Sequence, residues 1–382
     1  MQRVTEDLIR MTQYESLGEL PNPFRFNDGT QVEKPEDWPK RRGEIFDLAV
    51  TMQYGTLPPA PEFLNVEPLF ISSRGRFWSY RIVTGTRANP VSFTMMVRLP
   101  AAEGKHPAVI TGDMCFGYAF DKDYLNAFYD NDVAFVMFNR TEIVPDHVTE
   151  PLRSGQLYRT YPDCTFGALA AWAWGYSRCV DALEKLDIVD MNCIAFTGHS
   201  RGGKTAQLAG AIDERAAIVN PNDSDCCGAG CYRLNAAGVP EEGEEARNEM
   251  LADLTKNFPH WMCPEMSAYC GREAELPFDE HYMKALIAPR VLFVSEATSD
   301  MWANPVGSWQ TTMAAQEVFR FLGCEKNLLW YYRRGVHAQN AEDLAHLMNV
   351  IRHVKYGESL MDTYFETPFI TPGKMFSWKR PE

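Results

Sequence analysis

The sequence predicts an α/β fold with a mostly parallel central sheet and helices on both faces. Three observations predict it. Continuous apolar runs of strand length alternate with longer helical patterns from residue 107 onward, which is typical of βαβ units. The segment Gly198–Gly202, of sequence GHSRG, joins an apolar run to a helical pattern. Polar loops containing Asp300 and His337 follow two later strand-like runs. Together they indicate a three-layer αβα sandwich of the α/β-hydrolase type.

The first 65 residues differ in character from the rest of the chain. Proline-rich turns occur at 20–23 (LPNP) and 58–61 (PPAP), and a single helical pattern covers 35–54. Such a segment buries little apolar surface by itself. We therefore expect residues 1–65 to wrap around one catalytic domain formed by residues 66–382.

The strands that follow have two kinds of pattern. Residues 77–83 and 92–100 alternate between apolar and polar side chains, which predicts antiparallel strands near a sheet edge. Residues 107–111 and 133–138 are continuously apolar, as in parallel strands buried on both faces. A helical pattern over 166–186 then leads to the apolar run before Ser200.

The G-x-S-x-G segment has the features of a nucleophile elbow. In that turn a serine stands on a strained connection between strand and helix, and the glycines allow the two elements to approach closely. The pentapeptide alone is also compatible with an ordinary glycine-rich turn. If it is an elbow, Ser200 is a nucleophile.

Partners for such a serine follow in the order that this fold uses, an acid and then a histidine. The run 291–294 predicts a buried strand and leads into the loop with Asp300. The run 327–332 predicts another strand, and His337 lies between it and a helical pattern over 343–356. We therefore expect His337 to be the general base.

Composition limits the partners. Charged residues make up 23% and hydrophobic residues 45% of the chain, and the formal net charge is −14. An acidic surface argues against nucleic acid or an anionic membrane as a partner, and no apolar run is long enough to span a bilayer. The N-terminus lacks the apolar core of a signal peptide. We expect a monomer that is cytoplasmic, or secreted with its signal peptide removed.

Ten cysteines are spread through the sequence without the spacing of a small disulfide scaffold. Cys226, Cys227 and Cys231 form the one cluster, and no matching cysteine or histidine pair follows to complete a zinc site. We expect reduced thiols, with one local disulfide in this cluster as the alternative. We expect no metal and no organic cofactor.

Several longer segments resemble the glucuronoyl esterases, family 15 of the carbohydrate esterases, over nearly the whole chain. The matching segments are EDW at 36–38, RRGEI at 41–45, GALAAWAWG at 167–175, GHSRGGK at 198–204, PNDS at 221–224, NFPHW at 257–261, LPFDEH at 276–281, DMWANP at 300–305 and GVHA at 335–338. The resemblance implies hydrolysis of the ester between 4-O-methyl-glucuronic acid on xylan and lignin alcohols. Its substrate is then a glucuronic acid ester or a glucuronoxylan fragment.

The resemblance also implies site roles. Ser200 is then the nucleophile and His337 the base, while Arg201 stabilises the oxyanion through its N–H and its guanidinium. Lys204, one helical turn after the serine, is expected to reach hydroxyls of the sugar ring, and Trp302 to contact the sugar. A surface lysine and a core tryptophan are the structural alternatives.

Two residues, Asp223 and Asp300, are candidates for the acid of the triad. Many members of the family carry a glutamate where this sequence has Asp223, and the shorter side chain puts contact with the histidine in doubt. Asp300 follows the next strand, where this fold ordinarily places the acid, and we favour it. Asp223 is then a second carboxylate that orients the imidazole, or a loop cap.

Two other functions fit the same residues. Another carbohydrate or small-acyl esterase, such as an acetyl esterase, would keep the triad without needing Lys204 or Trp302. A carbohydrate-binding relative without activity is the third reading, and the presence of Ser200 and His337 argues against it.

Overall fold

The fold was analysed in a computed structural model that describes residues 9–72, 76–148, 151–240, 243–366, 368 and 373–382. The strands are β1 (Ile9–Ser16), β2 (Phe63–Ile71), β3 (Phe77–Gly85), β4 (Pro90–Arg98), β5 (Ala108–Thr111), β6 (Ala134–Phe138), β7 (Ile194–His199), β8 (Ile218–Asn222), β9 (Leu234–Pro240), β10 (Ala246–Arg247), β11 (Val291–Ala297) and β12 (Leu328–Arg333). The α-helices are α1 (Trp38–Phe46), α2 (Met52–Tyr54), α3 (Lys122–Tyr129), α4 (Arg140–Ile143), α5 (Gln156–Thr160), α6 (Ala168–Leu186), α7 (Arg201–Ile212), α8 (Leu251–Asn257), α9 (Glu280–Ala285), α10 (Pro305–Phe321) and α11 (Ala341–Tyr356).

Nine strands form the central sheet in the order β12-β11-β8-β7-β5-β6-β4-β3-β2. The six strands from β12 to β6 pair in parallel, and β4, β3 and β2 extend the sheet in antiparallel pairs. This confirms the predicted α/β-hydrolase fold, and the alternating runs predicted at 77–83 and 92–100 correspond to the antiparallel pair β3 and β4. The carboxyl ends of the parallel strands share one edge, and ligands in open α/β sheets bind at that edge.

Helices cover both faces of the sheet because its parallel strands are apolar on both sides. Along β6, Ala134, Val136 and Phe138 belong to one core, which also contains buried residues of α6, α7, α9 and α10. Phe135 and Met137 belong to a second core on the opposite face, with α3 and α11. The molecule therefore has three layers, as the sequence predicts.

The N-terminal segment lies against this body. Its predicted helical stretch is present as a 3-10 turn, α1, a π-helical turn and α2, which together cover 35–54. The buried Arg41 guanidinium donates to Pro23 O and to the Tyr282 hydroxyl, both at 3.0 Å. The expected division after residue 65 falls inside β2, which pairs with β3. Residues 1–8 of the expected extension lie outside the described part.

The sequence did not predict a second, small sheet, in which β1 and β10 both pair antiparallel with β9. It joins the N-terminal segment to the region after the elbow. Among the described residues, no helix has the length and apolar character needed to cross a membrane.

Candidate active site

The serine elbow lies at the centre of the sheet's carboxyl edge. Ser200 connects β7 to α7 with φ 55° and ψ −121°, a conformation that L-residues rarely adopt. A Cβ on Gly198 would lie 2.4 Å from the backbone of Gly202, and a Cβ on Gly202 would lie 2.5 Å from the Asp113 side chain. Close packing therefore requires both glycines of the motif.

The histidine and one acid meet beside this elbow. His337 Nδ1 is hydrogen-bonded to Asp300 Oδ2, so the loops after β12 and β11 bring the two together. The Asp300 carboxylate is almost buried, and its Oδ1 accepts the Ala303 N–H at 3.3 Å. The His337 side chain is 40% exposed, which leaves the imidazole accessible from solvent.

Asp223 contacts the two ends of the loop that carries His337, and its hydrogen bonds do not involve the imidazole. Its Oδ1 accepts the Ala297 N–H, and its Oδ2 lies 3.4 Å from both Arg333 Nη2 and the Ala338 N–H. Burial, followed by the nearby Glu296 carboxylate, raises the pKa of Asp223 well above its usual value. The described contacts thus connect Asp300, and not Asp223, to the imidazole.

Arg201 begins α7, so its N–H points out of the helix end without an intrahelical acceptor. Its guanidinium is held by Asp146, with Nη1 to Oδ2 at 2.5 Å, and lies 5.5 Å from the centre of the Trp261 ring. The Met114 N–H of the facing loop is already donated to Asp113 Oδ1 at 2.9 Å. Arg201 thus brings a backbone N–H and a guanidinium to the start of α7, directly after Ser200.

Asp146 is a site residue that the sequence analysis missed. Besides Arg201, it accepts Arg140 Nη1 at 2.8 Å and Trp261 Nε1 at 3.0 Å, and it contacts His260. Burial opposes ionisation, but the His260 hydrogen bond and the Arg140 charge hold the pKa of Asp146 well below its usual range. A polar residue shortly after β6 was the available sequence signal.

Lys204 does not lie where the resemblance implied. The side chain is buried, and Nζ donates to the carbonyls of Ser224 and Cys226 at 2.8 and 2.6 Å. It also pairs with the Asp225 carboxylate and lies 3.4 Å from Glu249 Oε2. The expectation of an ammonium open to sugar hydroxyls is therefore not supported, and the surface alternative is wrong. The face of α7 that carries Lys204 packs against the loop after β8.

Trp302, the other sugar contact that the resemblance implied, is exposed. It lies two residues after Asp300 and is 39% exposed, so the core alternative does not fit. Its carbonyl accepts the Glu249 N–H at 3.0 Å, and the Arg247 guanidinium lies 5.5 Å from its ring centre. An exposed indole ring therefore lies in the same loop as Asp300.

His199, the residue before Ser200, lies next to His337. Its ring centre is 4.3 Å from that of His337, and its Nδ1 is 2.7 Å from Asn222 Oδ1. Burial, followed by the neighbouring His337, lowers the pKa of His199 to about 4. At neutral pH the ring is therefore uncharged and does not repel a positive charge that forms on His337.

Asp223, Asp300 and His337 could in principle hold a metal ion, since one ligand atom from each lies within 4.8 Å of the others. The Arg333 guanidinium already pairs with Asp223, and its positive charge disfavours a cation there. All ten cysteines, including Cys226, Cys227 and Cys231, are free.

Comparisons with known proteins agree with this geometry. Residues 82–323 match the family model described as glucuronyl esterase of fungi. A 4-O-methyl-glucuronoyl methylesterase of Podospora anserina is 32% identical over 314 residues, covering 81% of this chain and 61% of that protein. A second 4-O-methyl-glucuronoyl methylesterase, of Wolfiporia cocos, is 32% identical over 308 residues, covering 80% of this chain and 72% of that protein. The chain thus spans about three fifths of the length of the first relative.

Solved structures of the same kind superpose on the whole fold. The carbohydrate esterase family 15 glucuronoyl esterase of Caldicellulosiruptor kristjansonii matches with a TM-score of 0.84 at 30% identity, covering 96% of this chain and 98% of that one. The glucuronoyl esterase catalytic domain of Hypocrea jecorina matches with a TM-score of 0.78 at 25% identity, covering 97% of this chain and 98% of that domain.

Proposed function

The chain belongs to the glucuronoyl esterase family, carbohydrate esterase family 15, and from that premise we propose that it hydrolyses esters of glucuronic acid. Its substrate is the ester between (4-O-methyl-)glucuronic acid of xylan and a lignin alcohol. The observation that supports this most is a strained serine at the sheet's carboxyl edge, next to a histidine bonded to a buried aspartate.

In the proposed first step, Ser200 Oγ attacks the uronoyl carbonyl carbon while His337 accepts the hydroxyl proton. Asp300 holds the imidazole through Nδ1, which leaves the other ring nitrogen to take the serine proton, and the Asp300 carboxylate stabilises the imidazolium. The carbonyl oxygen becomes an oxyanion beside the Arg201 N–H and guanidinium. His337 then protonates the departing alcohol, and an acyl-enzyme ester remains on Ser200.

In the second step, water takes the place of the alcohol. His337 accepts a proton from water as the oxygen attacks the acyl carbon, and it returns the proton to Ser200 Oγ. No metal or organic cofactor enters this cycle. The product is a glucuronate anion, and the chain's net charge of −14 favours its release.

Four other residues have supporting roles in the proposal. Trp302 packs against the sugar ring, because an exposed indole offers a flat apolar surface beside the triad. Asp223, together with Arg333, holds the loop that carries His337. Lys204 ties the start of α7 to the loop after β8 and to Glu249, and so supports the elbow.

The second candidate is a small-acyl or acetyl esterase on the same frame. The burial of Lys204 favours it to some degree, because only Trp302 of the two expected sugar contacts is exposed. The acidic net charge supports a role without nucleic acid or anionic membranes as partners. We propose a monomer, either cytoplasmic or secreted.

A side-by-side assay separates the two candidates. Purified protein is given methyl glucuronate, benzyl glucuronate, p-nitrophenyl acetate and acetylated xylan, and kcat/KM is measured for each. Hydrolysis of the uronate esters with a kcat/KM above that for the acetyl esters supports the proposal, and the reverse order supports the second candidate. Ser200→Ala is the inactive variant, and Ser267→Ala, at an exposed serine outside the site, is its matched control.

A further inference from the structure

Exposed apolar side chains concentrate around the candidate active site. Of eleven large apolar side chains exposed among the described residues, five follow β5, β6, β11 and β12 at the sheet's carboxyl edge. These five are Met114, Phe120, Val148, Trp302 and Val336. Exposed apolar groups that cluster beside a reactive centre commonly mark a binding surface.

Three of these side chains lie on loops to either side of the serine in strand order. Trp302 lies between Met301 and Val306, which belong to the core that contains α10. The loop with Met114 and Phe120 packs against the other core, with α3 and α11, through Phe116, Tyr118 and Ala119. The two loops thus pack against opposite faces of the sheet, and the strand that leads into Ser200, β7, lies between β11 and β5 in the sheet.

The loop with Met114 and Phe120 is firmly connected to the histidine loop. The Tyr118 hydroxyl donates to Asp113 Oδ2 at 2.8 Å, and its ring stacks on Tyr124 at 4.0 Å. The Tyr124 hydroxyl in turn donates to Gln339 Oε1 at 2.9 Å, two residues after His337. These contacts connect the loop that carries Met114 and Phe120 to the loop that carries His337.

Building on the proposed function, we propose that Met114, Phe120 and Val336 form a leaving-group face that contacts the alcohol part of the ester. If the sugar ring packs on Trp302, the ester oxygen and its alcohol point to the opposite side of the serine. There His337 protonates the leaving oxygen, and Val336 is its chain neighbour. The three side chains are uncharged and have no polar group, so the face selects a bulky apolar alcohol, such as an aromatic one, over methanol.

The test compares two esters that share one acyl group. For wild type, Met114→Ala, Phe120→Ala and the double variant, kcat/KM is measured on benzyl glucuronate and methyl glucuronate. The readout is the ratio of the two values, which cancels general effects on the triad. The control is Phe70→Ala, because Phe70 is 56% exposed on edge strand β2, away from the site.

In the double variant we expect the benzyl-to-methyl ratio to fall about tenfold, the effect of losing roughly half of a buried aromatic contact. Phe70→Ala is expected to keep the wild-type ratio. A ratio within twofold of wild type in the double variant overturns the leaving-group face while the proposed function stands. Wild-type protein that hydrolyses neither uronate ester but does hydrolyse acetyl esters overturns the proposed function and this inference with it.

Discussion

Replacing Asp300 by asparagine removes the charge on the His337 Nδ1 side while keeping the shape of the side chain. During attack the imidazole becomes positive, and the almost buried Asp300 carboxylate stabilises that charge. For two unit charges about 4 Å apart and an effective dielectric near 20, the attraction is about 4 kcal/mol. This corresponds to roughly 10³ in kcat. An amide can also favour the wrong imidazole tautomer, which extends the expected loss to roughly 10⁴.

Asp223→Asn is the matched comparison. Because the described hydrogen bonds of Asp223 go to Ala297, Arg333 and Ala338 and not to the imidazole, we expect a loss below about tenfold, the size of one neutral hydrogen bond. The assay is steady-state kcat on methyl glucuronate at pH 7, with thermal unfolding of each variant as a folding check. A loss for Asp223→Asn equal to or larger than that for Asp300→Asn refutes the choice of Asp300 as triad acid.

Three further outcomes are expected. Asp146→Asn should lower kcat by roughly 10- to 100-fold, less than loss of an oxyanion donor itself, and an unchanged kcat would show that Arg201 needs no anchor. Lys204→Met leaves Asp225 and Glu249 unpaired, so the free energy of unfolding should fall by about 3–5 kcal/mol. The value of kcat/KM should fall in parallel on methyl glucuronate and p-nitrophenyl acetate. A loss on the uronate ester alone would show that Lys204 contacts the sugar. Burial raises the pKa of Glu296 from 4.5 to about 8. The folded chain therefore keeps a proton that the unfolded chain loses above 4.5, and stability falls as pH rises from there to about 8, by up to about 1.4 kcal/mol per pH unit. Urea unfolding should show a flatter pH dependence for Glu296→Gln, and an unchanged slope would argue against this proton.

The central sheet could be predicted because its strands have strong patterns. Continuous apolar runs such as 133–138 are buried on both faces, and the alternating runs 77–83 and 92–100 became antiparallel strands. The small sheet could not be predicted in the same way. β9 has the sequence LNAAGVP, and its glycine, asparagine and proline disfavour strand structure in isolation. Pairing with β1, more than two hundred residues away, stabilises it.

At the site, chain order and strand ends pointed to Ser200, Asp300 and His337, and the last two are in contact. Helical spacing gave the face of α7 on which Lys204 lies, but not what packs against that face. The loop after β8 covers the Lys204 side chain, and the sequence pattern does not predict that contact. Asp146 was missed for a related reason, because its partner Arg201 is 55 positions further along the chain.

The account depends most on Ser200 as the residue that becomes acylated. The direct measurement is intact-mass and peptide mass spectrometry after treatment with a serine-reactive fluorophosphonate, together with methyl glucuronate hydrolysis by wild type, Ser200→Ala and Ser267→Ala. We predict one adduct on the peptide containing Ser200, protection by excess substrate, and a loss on the order of 10⁶ in kcat for Ser200→Ala only. An adduct on another residue, or Ser200→Ala activity above roughly a hundredth of wild type against that magnitude, would contradict the account.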